Sequence, residues 1–237
     1  FVRYDASAHL ANCRLIKVPL DAEFRHDLQS MAGAVTERTK LVFIANPNNP
    51  TGTIVTSAEL DRFLDVIPEH VVTILDEAYF EFGACDKDYP NSADYVRAGK
   101  NVIGLRTFSK TYGLAGIRMG FGFAPAWVVD AIERAREPFN TNSLAQVAAI
   151  AALSDENHLN ATVENNRAGI QVISEALRSH GFEPTQSFAN FVFAELNEPA
   201  APLFQALLRQ GVIVRGGDAF GCPTCLRVSV GSETENQ

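Results

Sequence analysis

Five short runs rich in Val, Ile, Leu and Phe recur through the first part of the chain: CRLIKV, KLVFIA, VVTILD, NVIGLR and GIRMGFGF. Runs of that length and composition predict buried strands. Between the second and third lies TSAELDRFLDVI, where Thr56 and Glu59 form a capping box and Leu60, Phe63, Leu64 and Ile67 fall on one helical face. Strands alternating with helices predict an α/β fold on a mostly parallel sheet. Ligands of such sheets gather beyond the carboxyl ends of the strands, which directs attention to the loops NPNNPTG, DEAYFEF and TFSKTYG. After PAWVVDAIERAREPF the pattern changes to helical stretches, SLAQVAAIAALS and NATVENNRAGIQVISEALRSHG, then FVFAEL, a short helix, VIVR and LRVSV. The chain therefore reads as a large domain over residues 1–142 and a small α+β C-terminal domain over residues 143–237, with the boundary near Asn142 to Ser143. No internal repeat or low-complexity segment is visible.

Composition narrows the partners. With 237 residues, 46% hydrophobic and 20% charged, the chain can bury a real core. A formal net charge of -8 and the lack of any Lys/Arg run argue against nucleic acid and against an anionic membrane surface, leaving a small molecule as the expected partner. No apolar run reaches the length of a membrane span. Four cysteines in a chain this long make no disulfide framework, so a cytoplasmic setting is expected. The opening FVRYDASAH is amphipathic and helix-like and begins with Phe1 rather than Met, and Ser232 with Glu235 forms a capping box just before the last residue. The expectation is a sequence clipped at both ends.

Several residues stand where chemistry is possible. Lys110 follows the run NVIGLRTF, and Gly113 and Gly116 near it let backbone approach a bulky ligand. Its amine attacks an aldehyde only when unprotonated, a state that burial and nearby cations favour; a solvated loop lysine is the bland alternative. Asp76 ends VVTILD, where a carboxylate needs either a cationic partner or a turn to cap. Tyr79 offers a hydroxyl, or only a packed ring. Asn49, between Pro47 and Pro50, offers a side-chain amide, or only a turn. Thr107, Ser109 and Arg118 supply two hydroxyls and a guanidinium, the inventory a phosphate needs, although Arg118 also reads as a sheet-edge arginine. Cys222 and Cys225 form a lone CxxC, and the five histidines share no ligand spacing, so no metal site is expected.

The motifs NPTG, DEAY, SKTYGLAGIRMG and LRVSVG occur in this order, each after a strand, and together they resemble the fold-type-I pyridoxal-phosphate (PLP) aminotransferases. More narrowly, TKLVFIANPNNPTG, DEAYFEF, TFSKTYGLAGIRMGF, PFNTNSLAQVAA and GVIVR followed by CLRVSVG resemble the histidinol-phosphate aminotransferase family across essentially the whole chain. The resemblance implies the PLP-dependent transferase fold, with Lys110 as the Schiff-base lysine, Asp76 as partner of the ring nitrogen, and Tyr79 and Asn49 as partners of the ring oxygen. It assigns Thr107, Ser109 and Arg118 to the cofactor phosphate, Arg227 to the substrate carboxylate and Arg215 to the substrate's own phosphate. The alternation of Leu226, Val228 and Val230 with Arg227 and Ser229 points Arg227 off the core face. Implied partners are glutamate with 2-oxoglutarate, a phosphorylated imidazole compound, and a second copy of the chain in a homodimer.

Two departures qualify the resemblance. RGGDAFG lacks the proline that often follows the arginine matching Arg215, and the family's N-terminal phosphate loop, ring-stacking aromatic and first strands have no counterpart here. Alternatives from the same residues are an aromatic amino-acid aminotransferase, a PLP lyase such as an amino-acid-phosphate decarboxylase, and a non-catalytic remnant.

Overall fold

Helix formation and strand pairing follow the apolar pattern closely in the computed structural model, which describes residues 2–237; Phe1, the first residue of the helix-like opening, lies outside the described residues. In chain order the elements are α1 (Val2–Leu10), α2 (Leu28–Gly33), β1 (Leu41–Ala45), α3 (Ser57–Val66), β2 (Val72–Asp76) and α4 (Phe80–Gly83). Next come α5 (Ser92–Arg97), β3 (Val102–Thr107), β4 (Gly120–Phe123), α6 (Ala126–Ala135), α7 (Ser143–Leu153) and α8 (Glu156–Ser179). The last are β5 (Glu183–Pro184), β6 (Phe191–Glu195), α9 (Ala200–Arg209), β7 (Arg215–Gly216), β8 (Cys225–Ser229) and α10 (Glu233–Asn236).

One compact unit comprises Asp27–Pro47 and Val55–Val163. Its sheet has the order β1-β2-β3-β4, with the first two pairings parallel and the last antiparallel. Ala45 lies opposite Asp76, and Asp76 opposite Leu105, so β1 and β2 end together and deliver their following loops to one edge. Both faces are covered, as a parallel sheet requires. On one, Val42, Ile44, Leu75 and Val102 pack with Leu28, Leu60 and Phe63 from α2 and α3; on the other, Val72, Ile74 and Ile103 pack against Val128 of α6. The expected capping box starts α3, with the Thr56 N–H donating to Glu59 at 2.7 Å and the Glu59 N–H to Thr56 Oγ1 at 3.3 Å. This is the expected α/β architecture.

The second unit comprises Phe1–His26, Asn48–Ile54 and Glu164–Gln237. Its sheet has the order β5-β6-β8-β7 and is antiparallel throughout. Leu196, Ala200 and Leu226 form a small core with Phe182, Leu203, Leu207 and Val214 around it. Phe193 is fully buried, edge-on to Phe24 at 5.4 Å between ring centroids. The sequence places its boundary at Asn142 to Ser143, whereas the compact units change over at Val163/Glu164, inside α8, and the second unit also takes two earlier segments. The composition shift at residue 143 marks a change of element type rather than of packing partner.

Three strand expectations need correction. CRLIKV forms no ladder among the described residues, and the nearest pairing is an isolated bridge between Leu20 and His26. Its residues are exposed or half-buried, because β-propensity without a backbone partner does not make a strand. Of VIVR only Arg215 enters a ladder, and of GIRMGFGF only Gly120–Phe123, largely exposed rather than buried.

Leu60 has no exposed surface and Thr56 supplies the α3 cap. Leu60→Ala is expected to lower the unfolding free energy by about 3 kcal/mol, and Thr56→Ala by about 1 kcal/mol, in urea titrations. Equal, negligible effects from both would mean that α3 does not pack on the sheet.

Candidate active site

The two units carry different members of the predicted set. In the unit built on the parallel sheet, Asp76 ends β2 and its Oδ1 accepts the Ala78 N–H at 3.2 Å, so the carboxylate caps the next turn. Tyr79, three residues on, is buried at 5% exposure. Lys110 reaches it: Nζ lies 5.2 Å from the Tyr79 ring centroid. Lys110 heads a turn closed by the Gly113 N–H on its carbonyl at 2.9 Å, with Gly113 at φ +68°. The loop is folded back on itself, since Phe108 N–H donates to Met119 O at 3.1 Å and Leu114 N–H to Phe108 O at 2.9 Å.

The predicted phosphate group lines the same loop. Thr107 Oγ1 accepts the Ser109 N–H at 3.1 Å, which links the two hydroxyl residues in one turn. Arg118 is exposed, adopts the left-handed backbone region at φ +58°, and donates from Nη1 to Ala115 O at 2.7 Å. A left-handed arginine is an uncommon conformation, held here by its own turn.

In the other unit residues 48–52 of NPNNPTG are held by side-chain bonds. Asn48 Nδ2 donates to Thr51 Oγ1 at 2.9 Å, Thr51 and Thr53 hydroxyls meet at 2.8 Å, and Thr185 Oγ1 donates to Thr51 O at 2.6 Å. Gly52 sits at φ +74°, and a Cβ there would collide with Ser187, so only glycine fits. The loop presents Asn49 Oδ1 to Arg227 Nη1 at 2.5 Å. The Arg227 guanidinium stands over the Phe191 ring at 4.7 Å, and Arg215, directly opposite on β7, is exposed and lies 5.7 Å from the Phe220 ring centroid. Two guanidinium-bearing residues thus sit side by side across the β7–β8 pair.

The residues missed by the sequence reading lie behind Asp76 and Tyr79. Glu77, 2% exposed, accepts from Ser92 N–H at 3.0 Å, Ser92 Oγ at 2.6 Å and Arg106 Nε at 2.9 Å. Burial pushes its carboxyl up, opposed by the Ser92 hydroxyl and the Arg106 charge. Arg106 also donates to Asn91 Oδ1 at 2.8 Å and stacks on Phe80 at 3.2 Å from the ring centroid. Glu81 accepts from Thr111 Oγ1 at 3.1 Å, immediately after Lys110. A signal existed: a charged Arg106 inside an apolar strand demands a buried acid nearby. The CxxC is accounted for otherwise. Cys225 Sγ donates to Glu195 at 3.2 Å, and its buried thiol is pushed up to about 12.

A cavity of about 480 Å³ lined by Phe108, Met119, Phe121, Arg136, Ile150 and Leu153 contains none of the predicted site residues. Its lining is mostly apolar, with Arg136, Thr141 and Gln146 as its polar members. Among the described residues no group of three or more His, Cys, Asp or Glu side chains is arranged to hold a metal, and no helix is long and apolar enough to cross a membrane.

The family model for aminotransferase class I and II matches residues 1–237. Histidinol-phosphate aminotransferase of Moorella thermoacetica is 49% identical over 238 residues, covering 100% of this chain and 61% of that protein. Histidinol-phosphate aminotransferase 2 of Carboxydothermus hydrogenoformans is 46% identical over 236 residues, 100% of this chain and 65% of the relative. The chain therefore spans under two thirds of these relatives' length. The crystal structure of histidinol-phosphate aminotransferase from Sinorhizobium meliloti in complex with pyridoxal-5'-phosphate superposes with a TM-score of 0.92 at 29% identity, covering 100% of this chain and 65% of that one.

Burial raises the Glu81 carboxyl above its ordinary value, against the lowering effect of its own backbone N–H, Thr111, Arg106 and Tyr112. The folded chain thus binds this proton more tightly than the unfolded chain. That contribution to stability is complete below the ordinary carboxylate value and is lost as pH rises through the raised one. Glu81→Gln, with no proton to lose, is expected to match the parent near about pH 4 and to gain stability relative to it by about pH 7. Urea titrations across that range check it, and a difference that stays constant with pH would contradict the assignment.

Proposed function

Because the chain belongs to the class I and II aminotransferases, we propose that the whole protein transfers an amino group between glutamate/2-oxoglutarate and a phosphorylated imidazole amino or keto compound, with pyridoxal 5'-phosphate as cofactor. What supports this most is the approach of the Lys110 amine to the Tyr79 ring at 5.2 Å, in loops that follow β3 and β2. The substrate assignment draws on the names of the relatives at 46–49% identity over the full chain.

The donor set fits the cofactor group by group. An amine at Lys110 suits an aldehyde, a carboxylate at Asp76 suits a protonated ring nitrogen, and hydroxyl and amide groups at Tyr79 and Asn49 suit a ring oxygen. Thr107, Ser109 and Arg118 bring the donors a phosphate takes. When bound, the cofactor supplies an electron sink for the negative charge that develops on the substrate carbon.

The protein's own residues do the rest. Lys110 would anchor the cofactor and, once displaced by the substrate amine, its freed Nζ would move the proton between the substrate carbon and the cofactor's carbonyl-derived carbon. Asp76 keeps the ring nitrogen's proton in place, which its position at a strand end with only partial exposure favours. Arg227 binds the substrate carboxylate through its planar fork; the carboxylate would take the place of the amide oxygen of Asn49 on Nη1. Arg215 takes the substrate phosphate. We assign the protein to the cytoplasm and to a homodimer, the latter supported by the exposed apolar face of α7 at Leu144, Val147, Ile150 and Leu153.

Borohydride reduction of the whole protein with pyridoxal phosphate is expected to fix the cofactor to the peptide containing Lys110. Lys110→Ala should abolish that product and lower amino transfer by about a thousand-fold or more. Carbon dioxide release without consumption of 2-oxoglutarate would replace transamination by a decarboxylase reading, and identical behaviour of parent and variant would leave a non-catalytic remnant.

A further inference from the structure

The residues after β2 face two ways. Asp76 and Tyr79, three apart, are the ones assigned above to the cofactor, whereas Glu77 and Phe80, each one step on, both meet Arg106. The Arg106 guanidinium is held on several sides. Nε goes to Glu77 at 2.9 Å, Nη2 to Asn91 at 2.8 Å, one flat face lies on Phe80 at 3.2 Å from the ring centroid, and Phe123 stands at 5.3 Å. The Arg106 and Glu77 side chains are 15% and 1% exposed. Ser92, at the start of α5, completes the acid's partners through its N–H and its hydroxyl. Gly104 on β3 makes room for this, because a Cβ there would collide with the Ser92 hydroxyl and the Phe123 ring.

Stability alone is a poor reason for such a pair. A buried ion pair replaced by well-packed apolar residues is commonly neutral or better, since two desolvation costs disappear. What an apolar replacement would lose is direction: the fork fixes angle and distance at once, which a lysine's point charge does not. The direction fixed here is that of the turn bearing Asp76 and Tyr79.

We propose that Arg106 and Glu77 are positioning residues, a buried clamp that grips the Asp76–Phe80 turn from behind and holds the Asp76 carboxylate and the Tyr79 ring in register with Lys110. The proposal rests on the cofactor reading above. Glu81, one turn further along and bonded to Thr111, ties the same segment to the loop that carries Lys110. The clamp touches neither substrate nor cofactor and acts only through its two forward neighbours.

The test uses the whole protein loaded with pyridoxal phosphate, in parent, Arg106→Lys, Glu77→Gln, Arg106→Met and Arg106→Met/Glu77→Gln forms. Three quantities are read: borohydride trapping on Lys110, visible circular dichroism of the bound cofactor, and kcat and KM for the amino donor. The clamp predicts that Arg106→Lys and Glu77→Gln still trap cofactor, change the amplitude or sign of the visible dichroic band, and lower kcat by about ten- to a hundred-fold with KM within about twofold. The Arg106→Met/Glu77→Gln double variant is expected to lose no more than its worse single, as members of one unit do. Should Arg106→Met fail to fold, the near-isosteric Glu77→Gln carries the decision. Variants that lose thermal stability yet keep the parent's dichroism and kcat per loaded site would reduce the pair to a structural role and overturn the clamp alone. A parent that traps no cofactor at Lys110 would overturn the cofactor reading, and the clamp with it.

Discussion

Setting Arg106 within an otherwise apolar strand obliges its surroundings to supply a carboxylate, an amide oxygen and an aromatic face, because a buried charge left unpaired costs about 3–5 kcal/mol. Those partners come from separate stretches of sequence: Glu77 and Phe80 after β2, Asn91 just before α5, and Phe123 on β4. One guanidinium therefore ties together the ends of several elements around the turn that bears Asp76 and Tyr79. The sheet supplies the strand ends, and the ion pair governs how the chain leaves one of them. Tyr89 reinforces the same corner, donating its hydroxyl to the Asn46 carbonyl while its ring stands edge-on to Phe80 at 5.9 Å.

Much of this architecture was legible in the apolar pattern where a single element decides its own fate. The α3 helix carries its start signal at Thr56 and Glu59 and its buried face at Leu60 and Phe63, all within a few residues, and the structure follows. KLVFIA and VVTILD are apolar runs and become a parallel strand pair, β1 and β2. CRLIKV has similar composition and stays unpaired, because a strand is a property of two segments and composition describes only one. The antiparallel turn of β4 was illegible for the same reason: GIRMGFGF gives no direction, and only the register of Thr107 against Gly120 reveals it.

The candidate site was legible where a residue type is rare for its position. A lysine in a glycine-rich loop and a carboxylate ending an apolar strand both stand out, and Lys110 and Tyr79 do come close. Contacts between distant positions were not legible. Nothing in NPNNPTG or LRVSV announces that Asn49 and Arg227 bond, since the pairing depends on how β8 and that loop are folded within one unit. Glu77 was hidden by its neighbours, lying inside a motif whose other members attract the chemical reading. Its importance shows only through burial and through the three hydrogen bonds it accepts.

The reversal of direction at β4 also bears on how the Lys110 segment is assembled. Parallel partners such as β1 and β2 must wait for a helical crossover to return the chain, whereas Thr107 and Gly120 are joined by residues 108–119 alone. Closing that shorter ring costs somewhat less chain entropy than closing the crossover does. The loop that carries Lys110 thus lies between two strands that pair with each other, whereas β1, β2 and β3 are joined by longer connections.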